Sequence, residues 1–325
     1  MAELRWHPLI RDWVMIASHR QARPQMPKDW CPFCPGSGNV PEHYDVLKYD
    51  NDFPALSQNP PAPDDVATDF FKVRPAYGKC EVILYSPEHT VTLPELPVAH
   101  IAKLVDLWCE RFADIASDPK IRYVFLFENR GEVVGVTMPH PHGQIYGYSV
   151  LPKKIELELE SATQYRAETG RCLYDDLLAN ELAVGERVIF RNEHFTVFLP
   201  FFTEYPYGVY VMSNRHCNYI TEFSAEERVS LADTLRQTAG MLDALFDYKF
   251  PYMMCMHNAP VNLGRDVSAD FHFHIEFFPP MRSADKQKFN ASSETGVWAH
   301  CNPTKPEEAA KELRAAHARF LANHQ

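Results

Sequence analysis

Apolar positions along the chain change period several times, and each change marks an element. From Val98 to Ile115 the residues Ile101, Leu104, Val105, Trp108, Phe112 and Ile115 recur at three- and four-residue spacing, which predicts an amphipathic helix. A helical stretch is expected from about Lys154 to Arg171. Another opens at Ser224-Ala-Glu-Glu227, a capping box, and runs to about Phe246. A last helix starts near Pro306, where the missing N–H of proline costs nothing, and runs to about Leu321. Short apolar runs between the helices read as strands at Trp13–Ala17, Cys80–Ser86, Tyr123–Glu128, Gln144–Val150, Arg187–Phe190, Phe195–Leu199, Gly208–Met212, Tyr252–Met256 and Phe271–Phe278. Residues 1–65 otherwise read as irregular and rich in proline.

The order of these elements repeats. A strand, His89, a helix, a strand with Glu128-Asn129, then His140-Pro-His142 and a strand form one unit. A strand, His216, a helix, a strand with His257-Asn258, then His272-Phe-His274 and a strand form the next. The interval from His89 to His142 is 53 residues and that from His216 to His274 is 58. This predicts two duplicated units, 1–180 and 181–325, in an α+β fold. Helices alternating with hairpin-like strand pairs favour an antiparallel sheet with flanking helices over a doubly wound parallel one.

Composition narrows the function. With 325 residues, 46% of them hydrophobic, the chain can bury a sizeable core. Its formal net charge of −11 argues against nucleic acid as a partner, because such binding draws its affinity from basic residues on phosphates. No apolar run approaches the ~18–20 residues that span a bilayer, and the start MAELRWHPLIRDWV lacks a signal-peptide core, so a cytoplasmic protein without a membrane partner is expected. The 26 prolines against 13 glycines imply many fixed turns, and the 15 histidines direct attention to metal and catalytic sites. Of the eight cysteines only Cys31 and Cys34 are closely paired, which points to one metal site plus scattered thiols rather than a disulfide framework.

The sharpest motif is His140-Pro141-His142-Gly143-Gln144, after a turn containing Gly131 and Gly135. On an extended chain His140 and His142 project to the same side. Gly143 lets the backbone approach a ligand, and Gln144 offers a neutral amide donor. The functional reading is a nucleophilic or acid–base histidine with phosphate donors around it. The competing reading is a pair of polar residues on a solvated strand. Cys31-Pro-Phe-Cys34 supplies two thiolates of a tetrahedral zinc site. Its rivals are a thioredoxin-like redox pair, for which no βαβ pattern is present, and two buried core thiols.

The run Phe127–Leu151, FENRGEVVGVTMPHPHGQIYGYSVL, closely resembles the galactose-1-phosphate uridylyltransferase family of the histidine-triad superfamily. The resemblance extends to Ser18-His-Arg20-Gln-Ala-Arg23-Pro24, Asn51-Asp-Phe53, Ser86–Leu96 and Phe278-Pro-Pro-Met-Arg-Ser283, and so covers nearly the whole chain in order. It implies a fold of duplicated histidine-triad-like units. It also implies exchange of a uridylyl group between UDP-glucose and galactose 1-phosphate through a uridylyl-histidine, with His142 as the nucleophile. Imidazole suits that role: it attacks phosphorus at neutral pH and leaves again, splitting one hard transfer into two easier ones. Gln144 can meet the charge on the transferred group as an amide donor. The backbone carbonyl of His140 is expected to accept the other ring N–H of His142 and so fix its tautomer.

The resemblance also implies ligand sets. His89 and His140 join Cys31 and Cys34 around a structural zinc. Glu158, His257 and His274 match a second metal site, for iron(II) or zinc, whose last position falls on Glu276 where the family has histidine. His272 is either a substitute ligand or unused, and the whole set is alternatively a polar strand face without metal. Arg20 and Arg23 resemble the nucleotide-phosphate arginines, although spacing alone suits two solvated side chains equally. Asn51 lies where the family contacts the nucleotide, and Asn129 and Gly135 where it contacts the phosphates; Thr137 replaces a serine. Lys288 and Glu294 match the hexose-binding segment, which implies a homodimer because that segment reaches the partner's site. Ser293 stands where the family has tyrosine, and a glutamine near His300 to Asn302 is missing. UDP-glucose, UDP-galactose and hexose 1-phosphates are thus the expected small-molecule partners. Two other functions remain open: a related nucleotidyltransferase or phosphorylase with another nucleotide sugar, and a non-enzymatic zinc-stabilised binding module.

Overall fold

The computed structural model describes residues 2–22 and 30–324, so Arg23 lies outside the described residues. Strands β1 (Ala2–His7), β2 (Asp12–Ala17) and β4 (Val73–Pro75) make a small sheet in the order β2-β1-β4. The main sheet has nine strands: β3 (Leu47–Asp50), β5 (Gly78–Leu84), β6 (Tyr123–Arg130), β7 (His142–Tyr148), β8 (Val188–Arg191), β9 (Phe195–Phe198), β10 (Val209–Ser213), β11 (Tyr252–His257) and β12 (His274–Phe278). Their order is β3-β5-β7-β6-β11-β12-β10-β9-β8, and every pairing is antiparallel.

The expected duplication is visible in that order. Outward from the β6–β11 seam, one half reads β6-β7-β5 and the other β11-β12-β10. Helix α1 (Val98–Ala116) links β5 to β6, and α4 (Ala225–Phe246) links β10 to β11 in the same position. The seam itself is a ladder, with Met254 opposite Glu128 and Met256 opposite Leu126, so one sheet runs through both units.

The two faces of this sheet differ in character. On one, Ile83, Val124, Leu126, Ile145, Met254 and Ile275 pack under α1, α4 and α6 (Pro306–Asn323) in the largest apolar core. The ladder places Gln144, Phe127, Cys255, Glu276 and Tyr210 in one cross-strand row on the other face. Side chains alternate along a strand, so His142, Asn129, His257 and His274 share that second face. His142 and three residues expected at the second metal site, His257, His274 and Glu276, are thereby gathered on one side. Helices α2 (Lys153–Thr169) and α3 (Leu173–Val184) pack on this side, with Leu159, Ala162, Tyr174 and Leu178 against Phe198 and Met212.

Several boundaries differ from the sequence expectation for identifiable reasons. Strand β7 begins at His142 and ends at Tyr148, not Gln144–Val150, because the Tyr85 N–H bonds the Pro141 carbonyl at 2.9 Å and starts the ladder there. Strand β12 starts at His274 rather than Phe271; the Phe273 N–H is taken by the Cys217 carbonyl at 2.6 Å. Helix α2 stops at Thr169, since Gly170 turns left-handed at φ 76°. Helix α3, unexpected, follows it and is closed in the same way by Gly185 at φ 73°. Strands β1, β3 and β4 and the short helix α5 (Ser292–Val297) were also not anticipated. Among the described residues no helix is long and apolar enough to cross a membrane.

Candidate active site

His142 opens β7, and its Nδ1 lies 2.8 Å from the His140 carbonyl. A carbonyl only accepts, so Nδ1 carries the proton and the neutral ring keeps its lone pair on Nε2. The next residue has no space for a side chain. A Cβ at Gly143 would stand 2.3 Å from the Tyr85 hydroxyl oxygen and 3.0 Å from the Phe127 carbonyl oxygen. The Phe33 ring packs edge-on against both His140 and His142, with centroids 6.0 Å from each. His142 lines a cavity of about 330 Å³ together with Asn129, Thr137, Glu128, Tyr85 and Lys249. One residue pair along β7, Gln144 accepts the Tyr146 hydroxyl on Oε1 at 3.0 Å. That orients its amide NH2 away from Tyr146 as a donor.

Glu128 and Lys249 were not singled out from the sequence. Burial pushes the Glu128 carboxyl up to about 7, against the opposing pull of Arg130 and of the Tyr252 and Tyr85 hydroxyls. The sequence did hold a signal for Glu128: it continues the buried phase set by Val124 and Leu126, an acid in apolar register. Nothing local marks Lys249, which reaches the cavity from the loop after α4.

Cys31 and Cys34 lie in a tight turn, where the Cys34 N–H bonds the Cys31 carbonyl at 3.3 Å. Cys34 Sγ is 3.4 Å from His89 Nδ1 and 3.6 Å from His140 Nδ1, and the four ligand atoms lie within 4.8 Å of one another. Tetrahedral zinc holds a thiolate and an imidazole nitrogen about 3.6 Å apart, so the set fits that ion. His140 Nε2–H donates to the Ser86 carbonyl at 2.8 Å, which turns the Nδ1 lone pair toward the cysteines. Burial draws His140 down to about 4 and pushes the Cys34 thiol up to about 11, with Cys31 adding to the latter.

The second cluster is deeper in the same face. Ligand atoms of Glu158, His257 and His274 fall within 4.8 Å of one another. Glu276 approaches His257 Nε2 at 3.1 Å and His274 Nε2 at 3.7 Å, and it also pairs with the Lys154 ammonium at 2.5 Å. Three buried atoms here lack hydrogen-bond partners: Glu158 Oε2, His257 Nδ1 and Glu276 Oε1. Two unpartnered carboxylate oxygens and, with its ring neutral and Nδ1 unprotonated, one unpartnered imidazole nitrogen offer lone pairs that suit a cation. Burial pulls His257 down, but Glu276 and Glu158 outweigh it and hold the imidazole up at about 9. His272 turns away from this cluster, with Nδ1 2.7 Å from Asp175 and Nε2 2.8 Å from the Ser213 hydroxyl.

Comparison with known proteins now decides the family. The galactose-1-phosphate uridyl transferase N-terminal domain model matches residues 1–152, and the C-terminal domain model matches 158–323. The chain belongs to the galactose-1-phosphate uridylyltransferase family. It is 42% identical over 315 residues to the galactose-1-phosphate uridylyltransferase of Thermotoga maritima, covering 97% of this chain and 98% of that one. A solved uridylyltransferase structure superposes with a TM-score of 0.90 at 31% identity, over 98% of this chain and 99% of that one. An ADP-glucose phosphorylase from Arabidopsis thaliana with bound ADP-glucose shares the fold, with a TM-score of 0.74 at 24% identity over 97% of this chain and 98% of that one. The chain is thus a nucleotidyltransferase with galactose 1-phosphate chemistry.

Not all the residues expected to contact substrate stand around the cavity that holds His142. Arg20 sits in the turn Ser18–Ala22, which His19 ties to the Pro54 carbonyl at 3.1 Å, beside the segment holding Asn51. Asn51 itself accepts the Phe53 N–H at 2.9 Å. Gly135 closes the short turn Glu132–Val134 at φ 82°. Lys288 and Glu294 are elsewhere: Lys288 Nζ is 3.9 Å from the Glu294 carboxylate and over the Tyr205 ring at 5.0 Å. Neither lines the cavity that holds His142. Ser293 donates to the Ala299 carbonyl at 2.8 Å, and His300 faces Glu204 at 3.3 Å.

Proposed function

We propose that His142 carries the uridylyl group between UDP-glucose and galactose 1-phosphate. In the first half-reaction Nε2 attacks the α-phosphorus, the P–N bond forms, the P–O bond breaks and glucose 1-phosphate departs. In the second, the phosphate oxygen of galactose 1-phosphate attacks the same phosphorus, the P–N bond breaks and UDP-galactose leaves. The observation carrying this reading is the 2.8 Å hydrogen bond from His142 Nδ1 to the His140 carbonyl, which keeps the lone pair on Nε2 and disperses charge as that nitrogen becomes bonded. Gln144, Asn129 and Thr137 bind the phosphate oxygens, with Gly135 giving the backbone close approach. Arg20 and Arg23 answer the nucleotide phosphates and Asn51 the nucleoside end.

Cys31, Cys34, His89 and His140 hold a zinc ion whose role is structural: it fixes the turn at Cys31 against the carbonyl that orients His142. Glu158, His257, His274 and Glu276 hold a second cation, zinc or iron(II), and the two carboxylates favour a harder ion than four nitrogens would. Lys288 and Glu294 bind the hexose in the active site of a partner subunit, which accounts for their absence from the lining of the His142 cavity. A cytoplasmic homodimer is the form in which this chemistry operates.

The test is a single-turnover experiment with UDP-glucose and no acceptor. Glucose 1-phosphate should appear in a burst of about one equivalent per site, and His142→Asn should abolish it while nucleotide still binds. Sugar 1-phosphate released only when both substrates are present would replace the covalent route by direct transfer. An ADP-glucose arm separates this reading from that of a phosphorylase.

A further inference from the structure

We infer that Cys172, Asp175, His216 and His272 form a further metal site, suited to zinc, at the place in the second unit that Cys31, Cys34, His89 and His140 occupy in the first. The correspondence is one of position, spacing and orientation together. Cys172-Leu-Tyr-Asp175 repeats the spacing of Cys31-Pro-Phe-Cys34, with a carboxylate in place of the second thiol. Ser213 precedes His216 by three residues, as Ser86 precedes His89; Ser213 closes β10, and Ser86 lies two residues past the corresponding strand β5. His272 stands two residues before β12, as His140 stands two before β7.

The side chains repeat the arrangement too. His89 and His140 both present Nδ1 to Cys34; His216 and His272 both present Nδ1 to Asp175, at 2.9 and 2.7 Å. His140 Nε2 is held by the Ser86 carbonyl, and His272 Nε2 by the Ser213 hydroxyl, each at 2.8 Å. The ring centroids are 5.6 Å apart in the first pair and 5.2 Å in the second. Ligand atoms of Cys172, Asp175 and His216 lie within 4.8 Å of one another.

Hydrogen-bond accounting leaves a place for a cation among them. His216 Nε2 must donate to the Ser268 carbonyl at 2.8 Å. In a neutral ring that leaves a lone pair on Nδ1, aimed at a carboxylate. A metal ion between them satisfies both and takes the Cys172 sulfur as a third ligand; His272, whose Nδ1 lies 2.7 Å from Asp175 but outside the 4.8 Å set, completes the four by moving toward the sulfur. The mixed sulfur, nitrogen and oxygen set matches a borderline divalent ion such as zinc. Tetrahedral zinc needs oxygen and nitrogen about 3.4 Å apart, so Asp175 has only to open by about half an ångström. Without an ion, the same groups close instead as an imidazolium–carboxylate pair. The site would pin the start of α3 to the strand of His274, whose Nδ1 is 2.9 Å from the His272 carbonyl. It would thus set one ring of the Glu158 cluster, just as the first site sets His142.

The experiment measures zinc per chain in the desalted full-length protein. Cys172→Ser and His216→Gln should each lose close to one equivalent, and the loss should add to that of Cys34→Ser. Wild-type zinc content in both folded variants would overturn the assignment in favour of the ion pair. Should these variants precipitate, Asp175→Cys supplies the second reading, because it restores a CxxC. In its cobalt(II)-loaded form the thiolate-to-metal absorption should rise by about one thiolate's intensity over wild type. No rise would equally overturn the site.

Discussion

Glu128 shows how a single side chain departs from the sheet that carries it. It occupies the apolar phase of β6, between Leu126 and Arg130, with Tyr252 donating to it at 3.2 Å. Because burial holds its carboxyl up to about 7, the folded state binds a proton that the unfolded chain releases near 4.5. Its folded-state affinity for the proton is the greater, so its contribution is fully favourable below about 4.5 and is lost as pH rises toward 7. A tenfold difference in proton affinity is worth about 1.4 kcal/mol, which makes the loss on the order of 1–3 kcal/mol. Arg130, Asp243 and the hydroxyls of Tyr85 and Tyr252 are the groups facing it. Glu128→Gln keeps the shape and removes the titration. Denaturant unfolding at pH 5 and pH 8 should show the variant gaining on the wild type by that amount at the higher pH. An unchanged difference between the two proteins at both pH values would place the titration elsewhere.

At the scale of elements, the first metal set joins a turn to a strand. The turn at Cys31 has few apolar partners of its own beyond Phe33 and Val40, packed with Val82, Leu84 and Met138. On the proposed reading, its attachment depends on Cys31, Cys34, His89 and His140 closing on one ion. Cys34→Ser should release about one zinc per chain, lower the melting temperature and reduce kcat, since the His140 carbonyl orients His142. Retained zinc with unchanged melting would show that the turn is held by other means. Much at this scale was legible beforehand. The three- and four-residue spacing of α1 and the Ser224 capping box of α4 set both helices to within a residue or two of their observed ends. The HPHGQ run marked the strand that carries His142, and the CxxC pair marked one end of the Cys31, Cys34, His89 and His140 cluster. What was not legible depended on partners distant in sequence. The start of β7 follows from Tyr85 pairing with Pro141, and β1 is a strand because β2 and β4 flank it. Lys249 enters the cavity wall only through the fold, and the short-range pattern near Lys288 says nothing of how far it lies from His142.

The whole molecule repeats one plan on either side of the β6–β11 seam, and the copies have diverged in what they hold. The first unit places His142 at an open cavity; the second places His274 at the corresponding position, 1% exposed and stacked on His257 at 4.7 Å between centroids. The corresponding histidine therefore stands at a cavity in one copy and is enclosed in the other. Lys288 and Glu294, which do not line the His142 cavity of their own chain, give the proposed assembly a testable role. If they serve a partner's site, mixing inactive His142→Asn with inactive Lys288→Ala protein should restore about a quarter of wild-type activity after subunit exchange, since half the dimers are mixed and each has one intact site. No recovery on exchange would confine each active site to one chain. The central claim, a covalent uridylyl-histidine at His142, is tested most directly by intact-protein mass spectrometry after incubation with UDP-glucose alone. The expected result is a gain of one uridylyl group per chain, acid-labile as a phosphoramidate is, located on the peptide containing His142 and discharged by galactose 1-phosphate. A protein that turns over both substrates yet never shows that added mass would contradict it.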